Sequence, residues 1–70
     1  MINTAWKIIK ALQKYGTKAY NVIKKGGQAM YDSFMAAKAK GWTHAAWWLV
    51  EHGSTLGTFY DLLKAAGLID

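Results

Sequence analysis

The clearest pattern in the chain is a helical alternation of apolar and lysine positions near its start. Asn3 or Thr4 is suited to cap a helix there, and Gly16 follows the last periodic position. The pattern therefore predicts an amphipathic helix over about residues 4–15. Its apolar side is formed by Ala5, Ile8, Ile9, Leu12 and Tyr15, and its opposite side by Lys7, Lys10 and Lys14.

Glycines and cap residues divide the rest of the chain into four more predicted helices. These cover about residues 17–25, 28–40, 43–52 and 58–66. Threonines stand at three of the four starts, and Thr58 with Asp61 has the spacing of a capping box, with Asp in place of the commoner Glu. The stretch between the last two helices, residues 54–57, is predicted to form a turn. Thr17, Thr43 and Thr58 are the predicted N-caps of the second, fourth and fifth helices.

The fourth predicted helix differs from the others because it is apolar nearly all round. Only His44 and Glu51 mark a narrow polar stripe on it, which is typical of a buried central helix. Trp47 and Trp48 diverge by about 100° on such a helix, so one of them is expected to enter the core. The predicted fold is all-α: one domain, residues 1–70, in which four to five short amphipathic helices form a compact bundle around a Trp-rich central helix.

Composition argues against an enzyme or a metal site. Seventy residues leave little room for a catalytic pocket, and the absence of cysteine excludes disulfides and thiolate metal ligands. His44, Glu51 and His52 are the only candidate metal cluster, and a polar rim is the better interpretation of them. No spacing typical of a catalytic nucleophile or a phosphate-binding loop is present. We therefore expect no catalytic residue, no metal and no cofactor.

The net charge of +5 is unevenly distributed. Residues 1–40 carry eight lysines against one acid, Asp32, whereas residues 41–70 carry one lysine against three acids. Such a basic half predicts a polyanionic partner. All nine basic residues are lysine, and base-reading proteins favour arginine for its bidentate contact with guanine. The charge pattern therefore favours an anionic membrane over nucleic acid.

Two tryptophans are expected to accompany the lysines at a membrane surface. Trp6 lies at the boundary of the apolar and lysine sides of the first helix, and Trp42 precedes the fourth helix. Aromatic rings at such edges settle at the level of lipid head groups. The predicted membrane-binding residues are Lys7, Lys10, Lys14, Lys18, Lys24, Lys25, Trp6 and Trp42.

No secretory signal or membrane span is expected. Lysines interrupt the apolar positions of the first helix, and the longest apolar run, residues 45–50, is far shorter than the roughly 20 residues of a span. Any contact with a membrane is therefore expected to be made from the side, at the interface.

Two segments resemble leaderless bacteriocins of the aureocin and lacticin type. The first is Ile8–Ala19, which contains a Lys-Tyr-Gly step and a Lys-Ala pair, and the second is the ending Leu63–Leu68. Lys10, Lys14, Lys18 and the Tyr15-Gly16 step match that pattern. The resemblance implies a saposin-like helical fold without disulfides, synthesis without a leader peptide, a dedicated exporter and an immunity protein. It also implies killing of related Gram-positive bacteria by membrane permeabilisation.

The resulting hypothesis is a secreted cationic antimicrobial peptide that docks on anionic membranes through its lysines. This chain departs from the family in being longer, in having an additional helix and in ending with the acidic Asp70. A small basic nucleic-acid-binding protein is the first alternative, and it predicts salt-dependent binding to duplexes. A structural partner domain, such as a cognate immunity factor, is the second alternative. Either alternative predicts no leakage from lipid vesicles.

Overall fold

Five α-helices and one short 3₁₀ turn account for most of the chain. The computed structural model describes all residues, Met1–Asp70. The structure contains no strand, which confirms the all-α prediction. The globule measures 26 × 24 × 20 Å along its principal axes. The elements are α1 (Ile2–Tyr15), α2 (Thr17–Ile23), the 3₁₀ turn (Lys24–Gly26), α3 (Gln28–Lys38), α4 (Trp42–Glu51) and α5 (Gly53–Ala65).

The core is built chiefly from the apolar side of α1 and the facing sides of the other helices. α1 buries five residues and contacts α2, α4 and α5. Phe34 of α3 and Phe59 of α5 meet edge-on in this core, with ring centroids 5.4 Å apart. The largest side chains of the core, all fully buried, are Phe34, Phe59, Ile8, Ile9, Leu12, Ile23, Leu49 and Leu63.

α4 contacts α1, α3 and α5, but its most deeply buried residues are not the tryptophans. Its buried residues are Ala45, Ala46 and Leu49, and the two alanines present only methyl groups to the neighbouring helices. Trp48 is the tryptophan of the adjacent pair that packs against the core, half-buried, whereas Trp47 is 54% exposed. The central position is therefore shared between α1 and α4, and the tryptophans line the margin of the core.

The predicted threonine caps are wrong. No helix has a side-chain hydrogen bond at its N-cap, and the N-cap positions belong to other residues. Thr17 is the first residue of α2 and Thr43 the second residue of α4, while α1 begins at Ile2, ahead of Asn3 and Thr4. The N-cap residue supplies only the backbone carbonyl of the first helical hydrogen bond, as where the Ala45 N–H donates to the Gly41 carbonyl at 3.0 Å. The N-caps are Met1, Gly16, Gly27, Gly41 and His52.

The start of the last helix is the largest error of the sequence prediction. Residues 54–57, expected to form a turn, lie in the first part of α5, so Thr58 and Asp61 are interior helical residues rather than a capping box. Thr55 and Leu56 are buried there, and the Leu56 N–H donates to the His52 carbonyl at 3.0 Å. Burial of these side chains compensates for the low helix propensity of Gly53 and Gly57 in the first part of α5.

Gly41 offers a direct test of the backbone geometry between α3 and α4. It adopts φ 118° and ψ 158°, a region nearly closed to residues with a Cβ atom. Gly41→Ala is expected to lower the free energy of unfolding by about 1–3 kcal/mol, measured by thermal unfolding followed by circular dichroism.

Gly57→Ala is the matched control for this prediction. Gly57 lies inside α5, and a methyl group added there meets no atom within 4 Å. This variant is expected to have a free energy of unfolding about 0.5–1 kcal/mol higher, because alanine loses less conformational entropy than glycine when the helix folds. If the free energy of unfolding changed in the same direction in both variants, the backbone geometry assigned to Gly41 would be contradicted.

Candidate membrane-binding surface

The six predicted lysines are all exposed and lie in the first three elements of the chain. We call Lys7, Lys10, Lys14, Lys18, Lys24 and Lys25 the lysine set. α1 provides three of them, α2 provides Lys18, and the 3₁₀ turn provides Lys24 and Lys25. These three elements contain no acidic residue; Asp32, in α3, accepts a hydrogen bond of 2.7 Å from the Gln28 amide on the preceding turn.

The structure brings only part of the lysine set together. Lys7, Lys10 and Lys14 line one open groove of about 330 Å³, together with Tyr15. The opposite wall of this groove is residues 67–70, the segment that follows α5. Lys18, Lys24 and Lys25 do not line the groove, so they extend the positive charge over other parts of the surface.

Several ammonium groups lie over aromatic rings. Lys38 is the most constrained of them, because its Nζ is 5.4 Å from the Tyr20 ring centroid and 5.2 Å from that of Trp42. It therefore joins α2, α3 and α4 through one side chain, and such contacts are attractive within about 6 Å. The other pairs are Lys14 with Tyr15, Lys24 with Tyr31, and Lys64 with Tyr60.

The two tryptophans assigned to the membrane surface are only partly available in this fold. Trp6 and Trp42 are half-buried and pack against the core, and the ammonium group of Lys38 lies over the Trp42 ring. Trp42, expected to precede the fourth helix, is instead the first residue of α4. Neither ring can enter a membrane fully without separation of the helices around it.

Trp47, which was not predicted to bind the membrane, is the most exposed of the four tryptophans. It is 54% exposed, and Met1 at 66% is the only other large apolar side chain with comparable exposure. Its position in the sequence could have indicated this exposure. Trp47 follows His44 by three residues and precedes Glu51 by four, which places it within the polar stripe of α4.

His44, Glu51 and His52 are all exposed, and no group of three or more metal-ligating side chains is present. The His52 ring stacks on the Trp48 ring at a centroid distance of 4.2 Å. Its Nδ1 lies 2.8 Å from the Trp48 carbonyl oxygen and donates a hydrogen bond to it. His52, the C-cap residue of α4, thus binds a backbone carbonyl in the last turn of that helix.

A second cavity of about 330 Å³ lies between α3, α4 and the start of α5. Trp48 and Met30 form its apolar wall, with Ser33, His52 and Thr55 beside them. Trp48 also makes an edge contact with Phe34, at a centroid distance of 5.9 Å, so this cavity borders the aromatic centre of the core.

None of the helices is both long enough and apolar enough to cross a bilayer. The longest helix, α1, has 14 residues and measures about 21 Å, compared with a hydrocarbon thickness of about 30 Å. Comparison of the chain with models of protein families, with curated proteins and with solved structures gives no significant match.

Proposed function

We propose that this protein is a secreted cationic antimicrobial peptide, similar to the leaderless bacteriocins, that binds anionic membranes of Gram-positive bacteria and permeabilises them. The observation that carries this proposal is the arrangement of α1. Its apolar side is buried in the core, while Lys7, Lys10 and Lys14 are exposed on its other side. One helix thereby combines a cationic docking surface with an apolar surface that opening of the bundle would release. The saposin-like character of the bundle is part of this proposal.

Docking rests on electrostatic attraction. A lysine near an anionic leaflet contributes about 1 kcal/mol, so several members of the lysine set together outweigh the cost of bringing the protein to the surface. Ions screen this attraction over a Debye length of about 8 Å at physiological ionic strength. Binding by this route weakens as salt concentration rises.

Insertion follows docking. Trp47 is the ring already exposed to solvent, and it can enter the head-group region without any change of fold. The helices have 7 to 14 residues and are too short to be stable alone in water, so core packing holds them. At a membrane, lipid replaces the core as the environment of their apolar sides, and the separated helices lie within the interface.

The proposed partners are the anionic lipid of the target cell and the two proteins implied by the resemblance, an exporter and an immunity protein. Dye release from vesicles tests the function. We expect release from phosphatidylglycerol-containing vesicles but not from phosphatidylcholine vesicles, and less release at physiological salt than at low salt. No release from either kind of vesicle by the folded protein would overturn the proposal. Salt-dependent binding to duplex DNA without release would favour the nucleic-acid alternative.

Removal of the Trp47 ring is expected to weaken membrane binding without weakening the fold. Full burial of a large apolar side chain contributes about 1.5–3 kcal/mol of transfer free energy. The Trp47 ring is 54% exposed in the folded protein, so its insertion into a membrane contributes about half of this. Trp47→Ala should therefore lower the vesicle partition coefficient about fivefold, measured by co-sedimentation. The thermal unfolding midpoint should stay unchanged.

Trp48→Ala is the comparison for that variant. Its ring contacts Phe34 and His52, so its removal is expected to lower the unfolding midpoint. If Trp47→Ala binds vesicles as tightly as the unmodified protein, Trp47 is not the inserting ring.

A further inference from the structure

The groove beside α1 combines two kinds of wall. Lys7, Lys10 and Lys14 recur at a spacing of three and four residues along one wall and span about 10 Å of helix. Apolar side chains, including Leu68 and Ile69, contribute the remaining lining, and Asp70 stands at the groove as its one acidic residue. This arrangement is a cationic rim beside an apolar surface.

The far wall depends on how α5 ends. Gly67 has φ 77°, and its N–H donates to the Lys64 carbonyl at 3.0 Å. The Leu68 N–H donates to the Leu63 carbonyl at 2.9 Å, which completes a Schellman motif. Leu68 is buried against the core, and the chain is thereby directed across the lysine side of α1.

The charges of the groove are only partly balanced from within the protein. Three ammonium groups meet one side-chain carboxylate and the terminal carboxylate of the same residue, so the groove keeps an excess of positive charge. Lysine is a point charge that suits phosphate oxygens without demanding a fixed geometry. A phosphate group entering the groove would gain attraction from the lysines and meet repulsion from Asp70.

We infer that this groove binds the phosphate group of an anionic lipid, with Asp70 as an internal negative charge that limits its affinity. The inference rests on the proposed function and locates the docking step at one site. Lipid is favoured over free phosphate because the groove adds partly exposed apolar surface at Tyr15 and Ile69, which a glycerol backbone and acyl chain can cover. A free phosphate ion leaves that surface without a partner.

Asp70→Asn and Asp61→Asn form the test. Both replace an exposed aspartate and raise the net charge equally, but only Asp70 lines the groove. Co-sedimentation with phosphatidylglycerol-containing vesicles is measured for both variants at physiological salt. We expect Asp70→Asn to raise the partition coefficient about two- to fivefold, because repulsion at the site is removed. Asp61→Asn is expected to change it much less, because screening limits the reach of a charge outside the groove.

The outcomes separate this inference from the proposed function. An equal gain in both variants would overturn the groove as the binding site, while salt-dependent binding to anionic vesicles would still support the function. Failure of the unmodified protein to bind these vesicles would overturn both.

A second measurement, without vesicles, identifies the occupant. Inorganic phosphate is titrated while the amide resonances of Lys10 and Ile69 are followed by NMR. We expect shifts that do not saturate in the millimolar range. Saturation at concentrations below those at which lipid binds would overturn lipid as the occupant, because it would assign the groove to free phosphate.

Discussion

Replacing Lys7, Lys10, Lys14 and Lys18 by glutamine is expected to abolish killing while leaving helicity intact. All four side chains are exposed, so the substitution removes positive charge without opening the core. At about 1 kcal/mol for each lysine that reaches an anionic surface, the vesicle partition coefficient should fall by about two to three orders of magnitude. Killing of indicator bacteria, dye release and far-ultraviolet circular dichroism are measured on the same preparation.

The matched control replaces the same four lysines by arginine. The charge is then kept and only the shape of the cationic group changes, so binding and release should remain close to those of the unmodified protein. Survival of killing in the glutamine variant would show that electrostatic docking is not the mechanism. Loss of killing in the arginine variant would indicate recognition of the ammonium groups themselves.

Phe34→Ala is expected to have the largest effect on stability. Phe34 is fully buried and contacts the rings of Trp48 and Phe59 edge-on. Truncation of such a ring costs about 3–5 kcal/mol, because apolar contact is lost and a cavity remains. The free energy of unfolding of a domain of this size is about 4–10 kcal/mol, so the variant is expected to be largely unfolded or to melt tens of degrees lower.

Urea unfolding of Phe34→Ala and Phe34→Leu distinguishes a cavity effect from a general loss of bulk. Leucine keeps a branched apolar side chain at the site and should cost less than half as much as alanine. Equal and small effects in both variants would contradict the placement of Phe34 at the centre of the core. The comparison also shows how much of the stability depends on the aromatic cluster.

Local signals in the sequence were sufficient to predict how many helices form and roughly where most of them end. The alternation of apolar residues and lysines in α1 predicted both its buried side and its exposed side, because side chains three and four residues apart share a helical face. Gly16 and Gly41 separate helices as expected. These features depend on nearest neighbours along the chain, which is why the sequence alone reveals them.

The start of α5 and the identity of the N-cap residues could not be predicted in the same way. Residues 54–57 contain small polar residues and glycine, which favour a turn, yet burial of Thr55 and Leu56 draws them into α5. Thr17 and Thr43 have side chains that can cap a helix, but both lie inside helices. α2 begins at Thr17 itself and α4 begins one residue before Thr43, so the glycines that precede these helices, Gly16 and Gly41, are the N-caps. Contacts with distant parts of the chain outweigh propensities of a few tenths of a kcal/mol.

The cationic side of α1 is evident from the amino-acid sequence, because residues spaced like Lys7, Lys10 and Lys14 share one side of a helix. That this side faces Asp70 across a groove depends on the packing of the whole chain, because the opposite wall comes from the other end of the sequence. The same holds for Trp47, whose exposure depends on which side of α4 the neighbouring helices cover. Periodicity identifies the sides of a helix, but packing between helices decides which of those sides remain open to solvent.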